Sequence, residues 1–166
     1  VIGAGVMGER HCRVCSNLPR VDLVGLADLD EARGRQVAEL YETAYFPGHR
    51  ALLPQLDAVT IAASTSVHYA LAAECLERGL HVLGEKPITE TMDQAQQQVQ
   101  MADERGVVLQ VGHIERFNPA YIELKHVTED MRLVGITMRR LSPYDTSNTD
   151  VDVVRDLMIH DLDLAV

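Results

Sequence analysis

The sequence has 166 residues, 46% hydrophobic and 24% charged, with a formal net charge of −10. That length suits one ordinary domain and is short for two. The composition is that of a soluble globular protein, and the acidic balance excludes the basic face that nucleic-acid binding needs, though not a small anionic ligand held locally.

Aromatic residues make up 4%, with no Trp, so the core is expected to rest on Val, Leu, Ile and Ala. Cys12, Cys15 and Cys75 cannot all pair within the chain, which points to a reducing, cytoplasmic compartment. No apolar run approaches the ~20 residues of a membrane span, and no signal peptide is visible. The chain opens at "VIGAG" without Met and stops inside the apolar periodic run "HDLDLAV", so a piece of a longer protein is expected.

In chain order, Val1-Ile2 reads as the end of a strand. Further strands are predicted at 21–27 ("VDLVGLA"), 57–63 ("DAVTIAA"), 80–84 ("LHVLG") and 107–112 ("VVLQVG"), with helices near 6–17, 31–42, 67–78 and 92–105. The strands are apolar throughout rather than alternating, as strands buried on both faces are. Ser66 is expected to cap the third helix and Gly79 to end it. Thr91 with Gln94 has capping-box spacing, and Gly106 stands where the fourth helix stops. Alternating strands and helices at this spacing predict parallel strands with right-handed crossovers, a doubly wound α/β sheet of Rossmann type.

After Gly112 the rhythm changes. A helix is predicted near 118–130, a better alternating segment at 133–141, a polar stretch, and a last helix from near Asp156. The reading is a dinucleotide-binding domain over 1–117 and the start of an α+β second domain over 118–166. The Gln-rich "QAQQQVQ" keeps Ala95, Val99 and Ala102 at helical spacing and reads as a solvated helix face.

"VIGAGVMGERH" carries Gly3, Gly5 and Gly8 as G-x-G-x-x-G between a strand end and a helix start. Gly3 permits the turn, Gly5 lets a pyrophosphate approach the backbone, and Gly8 lets helix and strand pack closely. The helix start, with Val6 and Met7, offers free N–H groups and a positive dipole end. Asp28 follows Gly8 by twenty residues, where a carboxylate can accept from both ribose hydroxyls and repel a 2′-phosphate. NAD is therefore expected over NADP, with Arg33 and Arg35 as the nearby cations that argue for caution. The plainer alternative is a glycine turn that merely packs. "CRVC" falls inside the first helix, away from the helix start that lowers a thiol pKa, so Cys12 and Cys15 are read as packing residues.

In an open α/β sheet, ligands bind beyond the carboxyl ends of the strands. "LHVLGEKP" puts Glu85 and Lys86 there, followed by a Pro87 that can adopt a cis bond or a fixed turn. A lysine held beside a nicotinamide can bind a substrate hydroxyl and help move its proton. The plainer alternative is a solvated surface lysine.

"GAGVMG", "GEKPIT" and "DLMIHDLDL" together resemble the Gfo/Idh/MocA dehydrogenases across the whole chain. The resemblance implies a catalytic lysine at Lys86 and a D-x-x-x-H pair at Asp156 and His160, which share a helix face at i and i+4. His160 would take a proton near neutral pH, and Asp156 would orient the substrate or the lysine. It also implies cofactor contacts from Ser64, Thr65, His68, Glu85 and Lys86, no metal, and a homo-oligomer formed through an open sheet of the second domain. "QVGHIERFNPAY" and "RRLSPYDTSNTDVDVVRDLMIHDLDL" resemble the branch that oxidises UDP-N-acetylglucosamine at its 3-hydroxyl. Arg116, Asn118, Arg139, Arg140 and Tyr144 are then candidate contacts to a sugar or diphosphate, or plain surface residues.

Two departures stand out. Ser64-Thr65 replaces a usual Pro-Thr after the third strand. Arg155 stands where an apolar residue is usual, and is expected to pair with Asp156 or touch a phosphate. The rival readings are a dehydrogenase of another polyol or sugar such as inositol, and an NAD-binding protein without turnover.

Overall fold

The computed structural model describes residues 1–141 and 152–166, which fall into two compact units, Val1–Val111 and Gly112–Val166. No helix of the described residues is long and apolar enough to cross a membrane.

The first unit runs α1 (Val6–Cys15), β1 (Gly25–Ala27), α2 (Glu31–Leu40), β2 (Ala44–Phe46), β3 (Ala58–Ile61), α3 (Thr65–Glu77), β4 (His81–Gly84), α4 (Met92–Arg105) and β5 (Leu109–Val111). β1 pairs parallel with β2, and β3 with β4 and β4 with β5 likewise. Ile2 joins the two halves through parallel bridges to Ala27 and Ile61. The Ile2 N–H donates to Thr60 O at 2.8 Å and its carbonyl accepts from the Ala62 N–H at 2.8 Å. The spatial order is β2, β1, the Val1-Ile2 segment, β3, β4, β5. The order reverses at the Val1-Ile2 segment, the switch point where such sheets bind ligands.

Successive residues of an extended chain point to opposite faces, and Val1 and Ile2 do so. Val1 joins the cluster of Ala4, Cys12, Leu26, Val37 and Ala38, drawn from the α1 and α2 side. Ile2 joins Val59, Ile61, Val82, Ala72, Cys75, Leu76 and Ala102, drawn from the α3 and α4 side. Each large apolar side chain so buried stabilises the unit by roughly 1.5–3 kcal/mol relative to exposure. Cys12 and Cys75 belong to these clusters, and burial pushes their thiols up to about 11 and about 12. Neither is poised as a thiolate.

The helix ends follow local chemistry. Thr91 Oγ1 accepts from the Gln94 N–H at 3.3 Å while Gln94 Oε1 accepts from the Thr91 N–H at 3.3 Å, a reciprocal capping box. Gly79 and Gly106 close α3 and α4 at φ +75° and +64°. Ser66 is not the cap of α3: Ser64 is, with Ser66 already inside the first turn. The edge strand β2 was not legible as a strand, because its three half-exposed residues acquire their conformation by pairing with β1. Conversely, residues 21–24 of the long apolar run lie outside the strand.

In the second unit, α5 spans Pro119–Thr128, a π-type turn spans Val154–Met158, and α6 spans Ile159–Ala165. The alternating segment 133–141 pairs into no strand among the described residues. Alternation makes a strand only when a neighbouring strand completes the hydrogen-bond ladder.

Candidate functional site

The three loop glycines have three separate physical reasons. Gly3 sits at φ +100°, and a Cβ there would lie 2.5 Å from Ala62 O. A Cβ on Gly8 would lie 1.8 Å from Gly3 O, so α1 rests directly on the loop. A Cβ on Gly5 would meet nothing within 4 Å. Gly5 is therefore not demanded by internal packing, and its open side faces a cavity. Val6 and Met7 follow as the first turn of α1, with Gly5 as N-cap and no side chain spent on the cap.

That cavity measures about 690 Å³, within the usual range for ligand pockets. Gly3, Gly5, Asp28 and Ser64 line it together, with Leu29 from a loop and His49 from the short 3-10 helix His49–Ala51. Asp28 follows β1. Its Oδ2 accepts from the Ala4 N–H at 2.5 Å and its Oδ1 from the Asp30 N–H at 2.7 Å. Each oxygen keeps lone-pair capacity for a hydroxyl donor, and the carboxylate is fixed to the glycine loop. Ser64 makes no side-chain cap bond to α3. Thr65 opens α3.

Glu85 and Lys86 follow β4, and the Lys86–Pro87 bond is cis. The Glu85 N–H donates to Ile61 O at 2.9 Å, extending the sheet ladder by one step. Its carboxylate lies 2.7 Å from His11 Nε2 on α1. Burial works to raise the Glu85 carboxyl, but the His11 contact, the Lys86 backbone and the nearby charges bring it below its ordinary value. His68, only 3% exposed, lies between two carbonyls, with Nδ1 2.8 Å from Pro87 O and Nε2 2.9 Å from Ala63 O. Both are acceptors, so only a doubly protonated ring satisfies both contacts at once. His11 and His68 thus tie the loop of Lys86 to α1 and α3.

Sequence reading missed the Glu85–His11 tie, although His11 stands three residues after Gly8, on the same helix face. It named Arg33 as a nearby cation but not its ties: the Arg33 Nε donates to Ala4 O at 3.0 Å and its Nη2 donates to the Glu9 carboxylate.

In the second unit, Asp156 lies in the π-type turn and His160 in the first turn of α6. Such turns recur at functional sites. Arg116 makes two parallel bonds to Asp163, at 2.8 and 2.7 Å, and His113 stands 3.6 Å from the same carboxylate. The Arg116 hydrogen bonds hold the Asp163 carboxyl below its ordinary range against the opposing effect of burial. Arg140 pairs in the same manner with Asp161, at 2.8–3.1 Å, and holds its carboxyl down. Asn118 caps α5, its Oδ1 accepting from the Ala120 N–H at 3.0 Å ahead of Pro119. Asn-Pro at a helix start is the signal for that role. Arg155 pairs with Asp152 at 3.4 Å. Arg139 is exposed. Tyr144 lies outside the described residues.

Comparison with known proteins settles the family. The model of the Gfo/Idh/MocA oxidoreductase family with an NAD-binding Rossmann fold matches residues 1–113. The chain belongs to the Gfo/Idh/MocA family. This member is 37% identical over its whole length to UDP-N-acetylglucosamine 3-dehydrogenase of Acidithiobacillus ferrooxidans, covering 52% of that protein. The solved structure of that enzyme superposes with a TM-score of 0.86 over 98% of this chain and 53% of the other, at 36% identity. This chain is 32% identical to inositol 2-dehydrogenase of Mycolicibacterium smegmatis over 99% of its own length and 50% of the relative. GenD2 from gentamicin A biosynthesis, solved in complex with NAD, matches at 30% identity and a TM-score of 0.76 over 78% of this chain and 38% of its own. The chain spans about half the length of the curated relatives it matches.

The matched domain is an NAD-binding Rossmann fold, and the residues present fit NAD. Gly5 leaves room where a pyrophosphate would meet the start of α1, and Asp28 offers a fixed carboxylate to the ribose.

Proposed function

We propose that the protein is an NAD-dependent dehydrogenase that oxidises a sugar hydroxyl to a ketone, with the 3-hydroxyl of UDP-N-acetylglucosamine as its substrate. The observation that carries the oxidoreductase reading is one cavity lined by Gly5, Asp28 and Ser64, with a lysine loop tied to α1 and α3 in the same unit. The similarity to the Acidithiobacillus enzyme along the whole chain favours the nucleotide sugar. The similarity to inositol 2-dehydrogenase favours a free polyol as the second reading.

NAD supplies the acceptor for the hydride that leaves the carbinol carbon. In this reading His160 takes the hydroxyl proton, since an imidazole titrates near neutral pH. Lys86 binds the reacting oxygen and stabilises the charge developing there. Asp156 orients the substrate. The cofactor contacts are Gly3, Gly5, Val6, Met7, Gly8, Asp28, Ser64, Thr65, His68, Glu85 and Lys86. Arg116, Asn118, Arg139 and Tyr144 contact the sugar or its diphosphate, Arg116 while keeping Asp163 as its partner. Residues 118–166 begin a domain for substrate and oligomer contacts, and the compartment is cytoplasmic.

The test is reduced nicotinamide formed by the intact protein from NAD and UDP-N-acetylglucosamine, with the ketone trapped. Inositol and NADP are run beside them. Lys86→Ala and His160→Ala are each expected to lose most turnover while NAD still binds. Near-normal turnover in both variants removes the mechanism. Turnover with inositol alone keeps the dehydrogenase and discards the nucleotide sugar. NAD binding without turnover on any substrate favours a binding-only protein.

A further inference from the structure

NAD and NADP differ by one phosphate on the adenosine ribose, and an arginine near the acidic residue of the second strand is what commonly accepts it. This chain has such arginines. Arg33 and Arg35 stand in the first turns of α2, just beyond Asp28. Arg35 is engaged outward: its Nε donates to Glu31 at 2.8 Å and its guanidinium lies 5.1 Å from the Tyr45 ring centroid. Arg33 is turned toward the glycine loop. Its Nε donates to Ala4 O at 3.0 Å, its Nη1 to Gln36 at 3.2 Å, and its Nη2 to the Glu9 carboxylate on α1. Since Ala4 N–H is held by Asp28, the Asp28 carboxylate and the Arg33 guanidinium grip the two backbone groups of one residue. A guanidinium so close to the ribose carboxylate is placed to receive a 2′-phosphate, but its outer nitrogens are committed to Glu9 and Gln36.

We infer that Glu9 determines cofactor specificity: it holds the Arg33 guanidinium against α1 and so withholds it from the 2′-phosphate of NADP. Asp28 repels that phosphate, and Glu9 removes the cation that would offset the repulsion. Glu9 is a positioning residue here, acting through Arg33. The inference rests on the reading of Asp28 as the ribose carboxylate.

The experiment is calorimetric titration of the intact protein with NAD and with NADP, for wild type, Glu9→Ala, Arg33→Ala, the double variant and Asp28→Ala. The quantity read is the ratio of the two dissociation constants. Both dinucleotides share the pyrophosphate, so the effect of Glu9→Ala on pyrophosphate binding cancels in that ratio, and the direct effect of the lost charge on the extra phosphate is what the double variant reads. Glu9→Ala is expected to shift it about tenfold toward NADP, the size of one charge-assisted contact. The double variant is expected to return it to the wild-type value. An unchanged ratio in Glu9→Ala overturns the inference. So does a shift that survives in the double variant, because Arg33 is then not the acceptor. If Asp28→Ala leaves the ratio untouched, or wild type binds neither dinucleotide, the reading beneath fails and the inference falls with it.

Discussion

The two units carry their functional residues on different kinds of support. In Val1–Val111, two apolar clusters flank the sheet, and the glycine loop, Asp28 and the Lys86 loop are pinned to it by backbone hydrogen bonds. In Gly112–Val166, none of the described residues is fully buried. The contacts there are largely ionic: Arg116 with Asp163, Arg140 with Asp161 and Glu115. The clusters contribute through area removed from water, whereas exposed ion pairs contribute little each and are screened by salt. The first unit thus carries its site on buried packing, whereas the described ion pairs of the second are made by partly exposed arginines.

Glycine substitutions give the largest test of that contrast, because they separate packing from ligand approach within one loop. Gly8→Ala forces a Cβ to within 1.8 Å of Gly3 O, backbone that cannot step aside. A loss of about 3 kcal/mol or more is expected, at or beyond the upper end for overpacking, read as a large fall in melting temperature. Gly5→Ala adds a Cβ that meets no protein atom within 4 Å, at an ordinary φ of −64°. Its melting temperature should stay close to wild type while NAD affinity falls at least tenfold. An unchanged NAD affinity in Gly5→Ala would remove Gly5 from the cofactor's path.

The pattern of what was legible in the sequence follows the same division. The capping box at Thr91, the αL glycines and the spacing from Gly8 to Asp28 are local signals, and the structure carries them; of the strands expected to bury both faces only β1 is buried throughout, while β3 and β4 alternate buried with more exposed residues. β2 was not legible, because its conformation comes from its partner β1. Neither were the ties from Arg33 to Glu9 or from His11 to Glu85, which join residues 24 and 74 positions apart. For Lys86 the local motif marked a candidate, but only the fold shows that His68 and His11 hold its loop. The role of Asn118 as a helix cap was present in the dipeptide Asn-Pro and passed over in favour of a ligand contact.

A smaller effect tests an ionic cluster of the first unit, Glu74 with His49, Arg50 and Arg78. The hydrogen bonds of Arg50 and then His49 bring the Glu74 carboxyl from 4.5 down to about 2. The folded value lies below the unfolded one, so Glu74 contributes stability above pH 4.5 that drains away as the pH falls toward 2. Glu74→Gln should be less stable than wild type at neutral pH by about 1 kcal/mol, given solvent screening of its partners. The two stability curves should converge as the pH falls. Denaturant midpoints across that range check it, and parallel curves would mean the pair is not coupled to folding.

The smallest expected effect bears on the second unit, and it is the most informative about what holds that unit. Arg116 is 58% exposed while its partner Asp163 is 9% exposed, and their contact is bidentate. A largely buried carboxylate paired with an exposed planar fork should lie at the upper end for surface pairs, a coupling of about 1 kcal/mol. A double-mutant cycle of Arg116→Ala and Asp163→Ala measures it without counting each residue's other contacts. Raising the salt to about 1 M shortens the screening length to about 3 Å, so a coupling carried by charge should shrink. A coupling near zero would mean that Asp156 and His160 owe their placement to something other than this ion pair. A coupling that withstands salt would mean that the planar hydrogen-bonded fork, rather than charge alone, positions the helix bearing His160.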